Sequence, residues 1–538
     1  MNHNVHVPTI DLFIIVAYMA AILLVGIISA RRTTITGQVF FLAGRSLPWG
    51  VVGAALFASN ISTIHLVGLT ASGYNEGLVW GNFEWMASFS LILLSLVFAP
   101  FYFRSRVSTL PEFLERRYSP ASRSILAVMA IMAALFIHIG MSLYAGAVVF
   151  QQFFGIRVEV SILIVSAIVS IYTIFGGLKA VVVTETFNTA ILLVGVVVIA
   201  ICAIVALPAH GIHTLEAFRA AAKPEQLHVI RHDSTVGLNW YAIFLGYPIL
   251  GLWYWCTDQT IVQRVLGAKS ERDAQLGPLF AGFLKILPMF VLILPGVIAY
   301  VLFRDQIGTE SNQTLPVLIN MLVPSGLRGL ITAAVLAALM SAVSAALNSS
   351  GTLVAVDIVK RLRPFTTDSQ MVTIGRVSSA VVMVLAILWS TQGSRFSSIF
   401  AAINVIASDL APPITTVFLF GVFWRRGTKE ASVVTLLSGL SMGVFAFLFD
   451  LPVIGNTRVI TDGWGISFLM QAWWMFCICS VIFVVTSLCT SAPPLESVEG
   501  LTWTDPFASL RAVRGWSSPP VIASLLLAIM IVLYIVFR

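Results

Sequence analysis

The sequence has 538 residues, of which 58% are hydrophobic and only 10% are charged, whereas a soluble domain carries about 25% charged residues. This composition excludes a set of water-soluble domains, because apolar runs of ~20 residues, long enough to cross a bilayer, recur along the chain. The net charge of +7 does not indicate a nucleic-acid partner, since the basic residues lie scattered at the ends of these runs. We therefore expect one all-helical bundle embedded in a lipid bilayer.

The apolar runs lie between charged or Pro/Gly-rich breaks and predict about fourteen membrane-spanning helices. In chain order, their approximate cores are 10–30, 47–70, 79–103, 124–152, 158–176, 181–207, 240–258, 275–303, 327–359, 373–392, 398–424, 431–450, 466–489 and 518–537.

The loop charges predict the orientation of the bundle. If both termini lie outside, most of the 31 lysine and arginine residues fall on the inner side, including Arg32, Arg511 and Arg514. Fewer, such as Arg395 and Arg458, fall on the outer side. Cytoplasmic loops carry the excess of positive charge, so we predict an integral protein of the cell membrane with both termini outside. The sequence has no Gly-rich phosphate loop, which argues against ATP-driven transport.

Polar residues interrupt two of the predicted spans. The second reads FASNISTIH over 57–65, and such a stretch can unwind so that its carbonyl oxygens hold an ion or substrate. The alternative is an intact helix whose hydroxyls bond back to its own carbonyls. The seventh carries Gly246, Pro248 and Gly251, and proline removes a backbone donor. Two interrupted spans five apart are typical of an inverted five-helix repeat with a midplane site.

Charged side chains inside spans are costly and tend to face a cavity or a partner. We expect Glu84 in the third span and Lys285 in the eighth to face a cavity. Asp409 in the eleventh precedes two prolines, which can instead mark a local break that admits water. His138 in the fourth has no polar neighbours in the sequence and is predicted to be a packed core residue.

Six further stretches of the sequence are distinctive: WYWCTDQTIVQR at 253–264, FGGL at 175–178, FFLAGR at 40–45, LPEFLERRY at 110–118, and the stretches 285–295 and 348–357. They closely resemble the sodium/glucose cotransporters of the solute:sodium symporter family, and the resemblance covers about residues 10–450.

The resemblance implies a leucine-transporter-type inverted repeat flanked by extra helices. The implied segments are a first extra helix and loop (1–40), a first repeat of spans two to six (41–207), an external loop (208–239), a second repeat of spans seven to eleven (240–426) and three C-terminal extra helices (427–538).

The resemblance also implies a sugar site, whose paired donors and acceptors suit hydroxyl groups. The implied contacts are Asn60, His65, Glu84, Tyr254, Trp255 and Lys285. A further contact is glutamine in the family's sugar carriers and Asn404 here. Asparagine keeps the amide but is shorter by one methylene, so we expect a substrate different from plain glucose.

The family's main sodium site corresponds to carbonyls of Ala58, Ile61 and Ala338 and to two adjacent hydroxyls. Those two positions are Ser341 and Ala342 here, so one hydroxyl is absent. An acidic residue that the family associates with a second ion corresponds to Glu185. On residue chemistry alone, the small residues around Ser341 and Ser344 serve close helix packing, although hydroxyls also suit sodium.

The sequence therefore predicts a secondary transporter, not an enzyme, that imports a sugar or sugar-like solute with sodium by alternating access. Within transport, the alternatives are a proton-coupled or uncoupled carrier, motivated by Ala342, and a substrate such as a polyol, sialic acid or vitamin. A membrane nutrient sensor is a further alternative, disfavoured because no signalling domain follows the last helix. The oligomeric state is left open.

Overall fold

A computed structural model describes residues 8–31, 36–232, 237–392, 399–450, 459–503 and 515–538. These ranges are almost entirely helical, and their one β-type contact is an isolated parallel bridge between Leu47 and Ala268. The α-helices in chain order are α1 (Thr9–Arg31), α2 (Gly37–Leu42), α3 (Trp49–Asn60), α4 (Thr63–Asn75), α5 (Gly81–Leu93), α6 (Ala99–Ser105), α7 (Leu110–Arg117), α8 (Pro120–Ala133), α9 (Ser142–Phe154), α10 (Val158–Ala206), α11 (Leu215–Ala221), α12 (Trp240–Gly251), α13 (Gln259–Leu266), α14 (Glu271–Leu284), α15 (Leu294–Ile307), α16 (Thr314–Leu322), α17 (Leu327–Thr352), α18 (Lys360–Leu362), α19 (Asp368–Ser390), α20 (Ile399–Phe423), α21 (Lys429–Phe449), α22 (Phe468–Cys489), α23 (Leu495–Val498) and α24 (Pro519–Val536).

Several long helices contain a π-helical turn, in which one extra residue is accommodated in the hydrogen-bond ladder. These turns lie at Leu94–Phe98, Ala134–Met141, Leu252–Thr257, Met289–Ile293 and Leu353–Val359.

The described ranges contain eleven helices long and apolar enough to cross a membrane, or twelve if α3 and α4 form one bent span. The all-helical membrane fold is confirmed, but the count of fourteen is not. One difference lies in α10, whose 49 residues would extend for about 70 Å as one straight helix, more than twice the thickness of the hydrocarbon core. Gly177 interrupts it with φ +61°, between the predicted fifth and sixth spans.

The second predicted span is broken, so the first of the two interpretations of its polar cluster, an unwound stretch, is correct. α3 ends at Asn60 and α4 begins at Thr63, with a bend of 62° between them. Ile61 and Ser62 between the two helices have extended backbone angles. The N–H of Ser62 donates to Nδ1 of His65 over 3.3 Å, which caps α4 and replaces the bond that a continuous helix would make to Ala58.

The seventh predicted span differs from the expectation. Pro248 lies inside α12, and the chain leaves the helical conformation only at Asp258, after the π-helical turn Leu252–Thr257. Gly246 allows close helix packing, because a Cβ there would overlap the carbonyl oxygen of Leu469 in α22. Pro412 and Pro413 likewise lie inside the continuous helix α20. Proline alone was therefore a poor indicator of where these helices break.

Helix packing brings α3, the first half of the broken span, against α13, which begins where the seventh predicted span ends. α3 packs against α14, α10 and α17, while α17 also packs against α1 and α10. α17 is almost entirely buried, whereas less than a third of the residues in α1, α21 and α24 are buried, as expected of helices that face lipid.

The predicted orientation and segment boundaries stay predictions. Arg32, Arg395, Arg458, Arg511 and Arg514, on which the charge count partly rests, lie outside the described residues.

Candidate functional site

A cavity of about 130 Å³ lies beside the break between α3 and α4. By this measure one water molecule needs about 10–15 Å³, so the cavity accommodates roughly ten water-sized groups, a size comparable to a six-carbon sugar. All seven predicted substrate contacts line it: Asn60, His65, Glu84, Tyr254, Trp255, Lys285 and Asn404. These residues come from α3, α4, α5, α20, the π-helical turn Leu252–Thr257 and the segment after α14.

Lys285 is the centre of a polar cluster on the lining of the cavity. Its Nζ donates to Oε2 of Glu84 over 2.5 Å and to Oδ1 of Asn60. The Lys285 and Glu84 side chains are only 1% and 2% exposed, so each charge depends on the other for compensation. Oε1 of Glu84 has no hydrogen-bond partner in the described part of the chain and can accept from a solute hydroxyl.

Aromatic rings cover one side of the cavity. The ring of Trp255 lies 5.4 Å from Nζ of Lys285, within the range of a cation–π contact. Tyr254 packs edge-on against Trp255, with 5.1 Å between their centroids. Such faces suit the C–H surface of a sugar ring, while the neighbouring polar groups suit its hydroxyls.

His138 is not the packed core residue that the sequence indicated. It lines the same cavity, and its Nε2 lies 3.2 Å from Oδ2 of Asp258. The two residues are 120 positions apart, so no local pattern could have paired them. The available signal is Asp258 itself, because a carboxylate at the end of a predicted span, within the 253–264 motif, needs a partner.

Asp409 lies away from the cavity. Its Oδ1 accepts a hydrogen bond from Nε2 of Gln471 over 2.5 Å, which joins α20 to α22. The second expectation for Asp409, a local helix break that admits water, is wrong because α20 continues through both prolines.

The residues that correspond to the sodium site lie at the α3–α4 break and in α17. The Ala58 carbonyl has lost its helical donor, because the Ser62 N–H turns to His65. The Thr63 hydroxyl donates to the Val335 carbonyl over 3.2 Å, one helical turn before Ala338 and two before Ser341. Freed carbonyls and hydroxyls are the oxygen ligands that a sodium ion uses, so this donor set fits the ion.

The serine and alanine at 341–342 are placed differently. The Ser341 hydroxyl is fully buried and accepts from Nδ2 of Asn188 over 3.1 Å. Ala342 borders the cavity. A hydroxyl at position 342 would therefore border the cavity that the predicted substrate contacts line, and the methyl group leaves that position without an oxygen.

Glu185 is held by an internal partner. Its Oε1 accepts from Nη2 of Arg264 over 2.6 Å and from the Ser59 hydroxyl over 3.0 Å. Both side chains of the ion pair are fully buried. The arginine thus already compensates the charge of Glu185.

Residues 40–439 match the model of the sodium:solute symporter family. The chain belongs to this family. The predicted family resemblance is confirmed, and the symporter is accordingly a membrane transport protein, not an enzyme.

Curated relatives match the symporter over nearly its whole length. The sodium/myo-inositol cotransporter 2 of Sus scrofa is 33% identical, with 96% of this chain and 82% of the relative covered. The sodium/mannose cotransporter of Bos taurus is 35% identical, with 92% and 89% covered. The sodium/glucose cotransporter 4 of Homo sapiens is 33% identical, with 97% and 82% covered.

Solved structures establish the fold. A substrate-bound, outward-open Na⁺-coupled sialic acid symporter superposes with a TM-score of 0.74 at 20% identity, with 90% of this chain and 98% of that chain covered. The nucleobase-cation-symport-1 transporter MHP1 superposes with a TM-score of 0.53 at 14% identity, covering 86% and 97%. These similarities confirm the leucine-transporter-type architecture of the symporter.

Proposed function

We propose that this symporter imports a sugar or cyclic polyol with sodium across the cell membrane by alternating access. The observation that carries the proposal is the cavity in which Lys285, Glu84 and Asn60 form one buried polar cluster beside Trp255 and Tyr254. Paired donors and acceptors next to an aromatic face match the alternating hydroxyls and C–H surface of such a ring. The relatives named for myo-inositol, mannose and glucose support this class of substrate.

Sodium coupling follows from the place of the α3–α4 break. A sodium ion between the Ala58 and Ile61 carbonyls on one side and Ala338 and Ser341 on the other would tie the broken span to α17. The same break presents Asn60 and His65 to the solute. An ion that fixes this segment therefore favours solute binding, and the coupling is reciprocal.

The rival function is a proton-coupled or uncoupled carrier of the same solutes. Ala342 favours it, because the second serine that the family's ion site uses is absent. The remaining donors are two freed carbonyls, the Ala338 carbonyl and one hydroxyl that already accepts from Asn188.

The topology belongs to the same proposal. The positive loops lie in the cytoplasm and both termini lie outside, with the inverted repeats at 41–207 and 240–426. The lipid bilayer surrounds α1, α21 and α24, which expose apolar side chains.

The test is uptake into proteoliposomes with the purified protein at fixed pH. Glucose, mannose, galactose and myo-inositol are offered with an inward sodium gradient or with choline in its place. We expect at least one solute to accumulate only with sodium. Equal accumulation with sodium and with choline would contradict sodium coupling and favour the proton-coupled or uncoupled carrier.

Two variants that each remove one intramembrane carboxylate provide a matched control. Glu84→Gln alters the cavity, whereas Asp409→Asn alters a carboxyl that lies away from the cavity and bonds Gln471. Glu84→Gln should abolish accumulation, and Asp409→Asn should retain most of it.

A further inference from the structure

We propose that His138 is an additional solute contact, held in place by Asp258, that recognises one solute hydroxyl separately from the Lys285 cluster. The proposal rests on the proposed function, because it names a further part of the same solute site. His138 lies in the π-helical turn Ala134–Met141 between α8 and α9. Such turns are frequent at functional sites, since the extra residue redirects side chains locally.

Asp258 is a rigid anchor for the His138 ring. Its Oδ1 accepts the Thr260 N–H over 2.6 Å and so caps the start of α13. Its Oδ2 lies 3.2 Å from Nε2 of His138. The side chains of His138 and Asp258 are 10% and 5% exposed, respectively. Because both carboxylate oxygens are engaged, the carboxylate holds the ring in one orientation.

The hydrogen bond to Asp258 assigns the roles of the two imidazole nitrogens. Nε2 carries the proton that it shares with the carboxylate, since a carboxylate only accepts. Nδ1 then has no hydrogen-bond partner among the residues that the structure describes. The ring borders the cavity, so a solute hydroxyl can satisfy Nδ1 without displacing any protein contact.

Aromatic contacts connect His138 to the Lys285 cluster. The His138 and Tyr254 ring centroids are 5.8 Å apart, and Tyr254 packs on Trp255 at 5.1 Å. Trp255 in turn lies 5.4 Å from Nζ of Lys285. A ring-shaped solute that packs on this aromatic pair would have both His138 and the Lys285 cluster beside it in the same cavity.

A purely structural role for the pair makes a different prediction. If His138 and Asp258 only joined the Ala134–Met141 turn to α13, their removal would weaken all solutes by the same factor. A direct contact instead affects only solutes that carry the recognised hydroxyl. Singly deoxygenated analogues of one solute therefore distinguish the two roles.

The experiment measures solute affinity of purified wild type, His138→Leu, His138→Gln and Asp258→Asn by intrinsic fluorescence, since Trp253 and Trp255 line the cavity. The probes are the hexose or inositol that the wild type binds best and its singly deoxygenated analogues. His138→Leu should weaken binding of the parent solute about tenfold relative to wild type. Its affinity for one analogue, the one that lacks the recognised hydroxyl, should stay within about twofold of the wild-type value. His138→Gln, which keeps an amide at this position, should recover most of the loss.

Asp258→Asn keeps the helix cap, because asparagine is also a preferred N-cap residue. It should weaken the parent solute when His138 is present and have no further effect in the His138→Gln background. Asp409→Asn is the control for loss of a buried carboxylate. If His138→Leu cannot be purified, the comparison of Asp258→Asn with and without His138→Gln decides the matter.

The outcomes separate this inference from the proposed function. Solutes that bind but do not accumulate with sodium would contradict sodium-coupled import. The affinities for the analogues would still test whether His138 contacts the solute. An equal loss of affinity for every analogue, or no loss for any, would overturn the role of His138. Failure of the wild type to bind any hexose or polyol would overturn both.

Discussion

Glu185 and Arg264 form an ion pair that is fully buried, with 2.6 Å between Oε1 and Nη2. The pair connects α10 to α13, and Glu185 also accepts the hydroxyl of Ser59, next to Ala58 at the broken span. Arg264 donates in addition to the Thr260 carbonyl. The ion pair therefore connects the broken span, which lines the cavity, to α13, which begins directly after Asp258.

Glu185→Gln is expected to destabilise the protein strongly, because it leaves the Arg264 charge buried without compensation. Breaking one partner of a buried pair costs about 3–5 kcal/mol. The measurement is the midpoint of thermal unfolding in detergent, compared with Glu271→Gln. That control removes the partner of Arg104, a pair whose side chains are 59% and 33% exposed and which contributes at most about 1 kcal/mol. Equal midpoints for the two variants would contradict the expectation.

The parts of the site with a local signal were predictable from the sequence. The FASNISTIH stretch indicated the break between α3 and α4 because its polar groups are incompatible with lipid. Glu84 and Lys285 were each expected to face a cavity, and both line it. The reason is the same, because a charged side chain is costly to expose to lipid. The family resemblance supplied Tyr254 and Trp255, which residue type alone does not distinguish from packing aromatics.

The parts that depend on long-range contacts were not predictable. His138 pairs with Asp258 across 120 positions, and Lys285 pairs with Glu84 across 201. Pro248 misled the prediction for a different reason. A membrane helix tolerates proline when its surroundings satisfy the freed backbone groups, and α12 continues through Pro248.

The Lys285–Glu84 pair allows stability and solute binding to be separated. Lys285→Met and Glu84→Gln should each lower stability, since each leaves one buried charge uncompensated. The double variant removes both charges and should recover much of the lost stability, while solute affinity stays at least about tenfold below wild type. Thermal unfolding and tryptophan fluorescence report the two quantities. A double variant with normal solute affinity would show that the cluster does not contact the solute.

Ala342→Ser should strengthen sodium binding, because it adds a hydroxyl at the cavity-facing position beside Ser341. We expect the sodium concentration for half-maximal uptake to fall by about threefold or more, as one added oxygen contact contributes about 1 kcal/mol. Ala346→Ser is the matched control, since this residue lies one turn further along α17 in an apolar cluster. An unchanged sodium dependence in Ala342→Ser would place the ion away from position 342.

Asn404→Gln should change which ring the symporter prefers. Asn404 lines the cavity from α20, and glutamine extends the amide by one methylene towards the solute, as in the family's sugar carriers. The longer amide should raise the affinity for glucose relative to myo-inositol by about fivefold, the value of one hydrogen bond gained by one ring and not by the other. Competition between the two solutes for sodium-driven uptake measures this ratio. Asn404→Ala is the control, because it removes the amide and should weaken both solutes. If the ratio is the same in wild type and Asn404→Gln, residue 404 does not determine the selectivity between these rings.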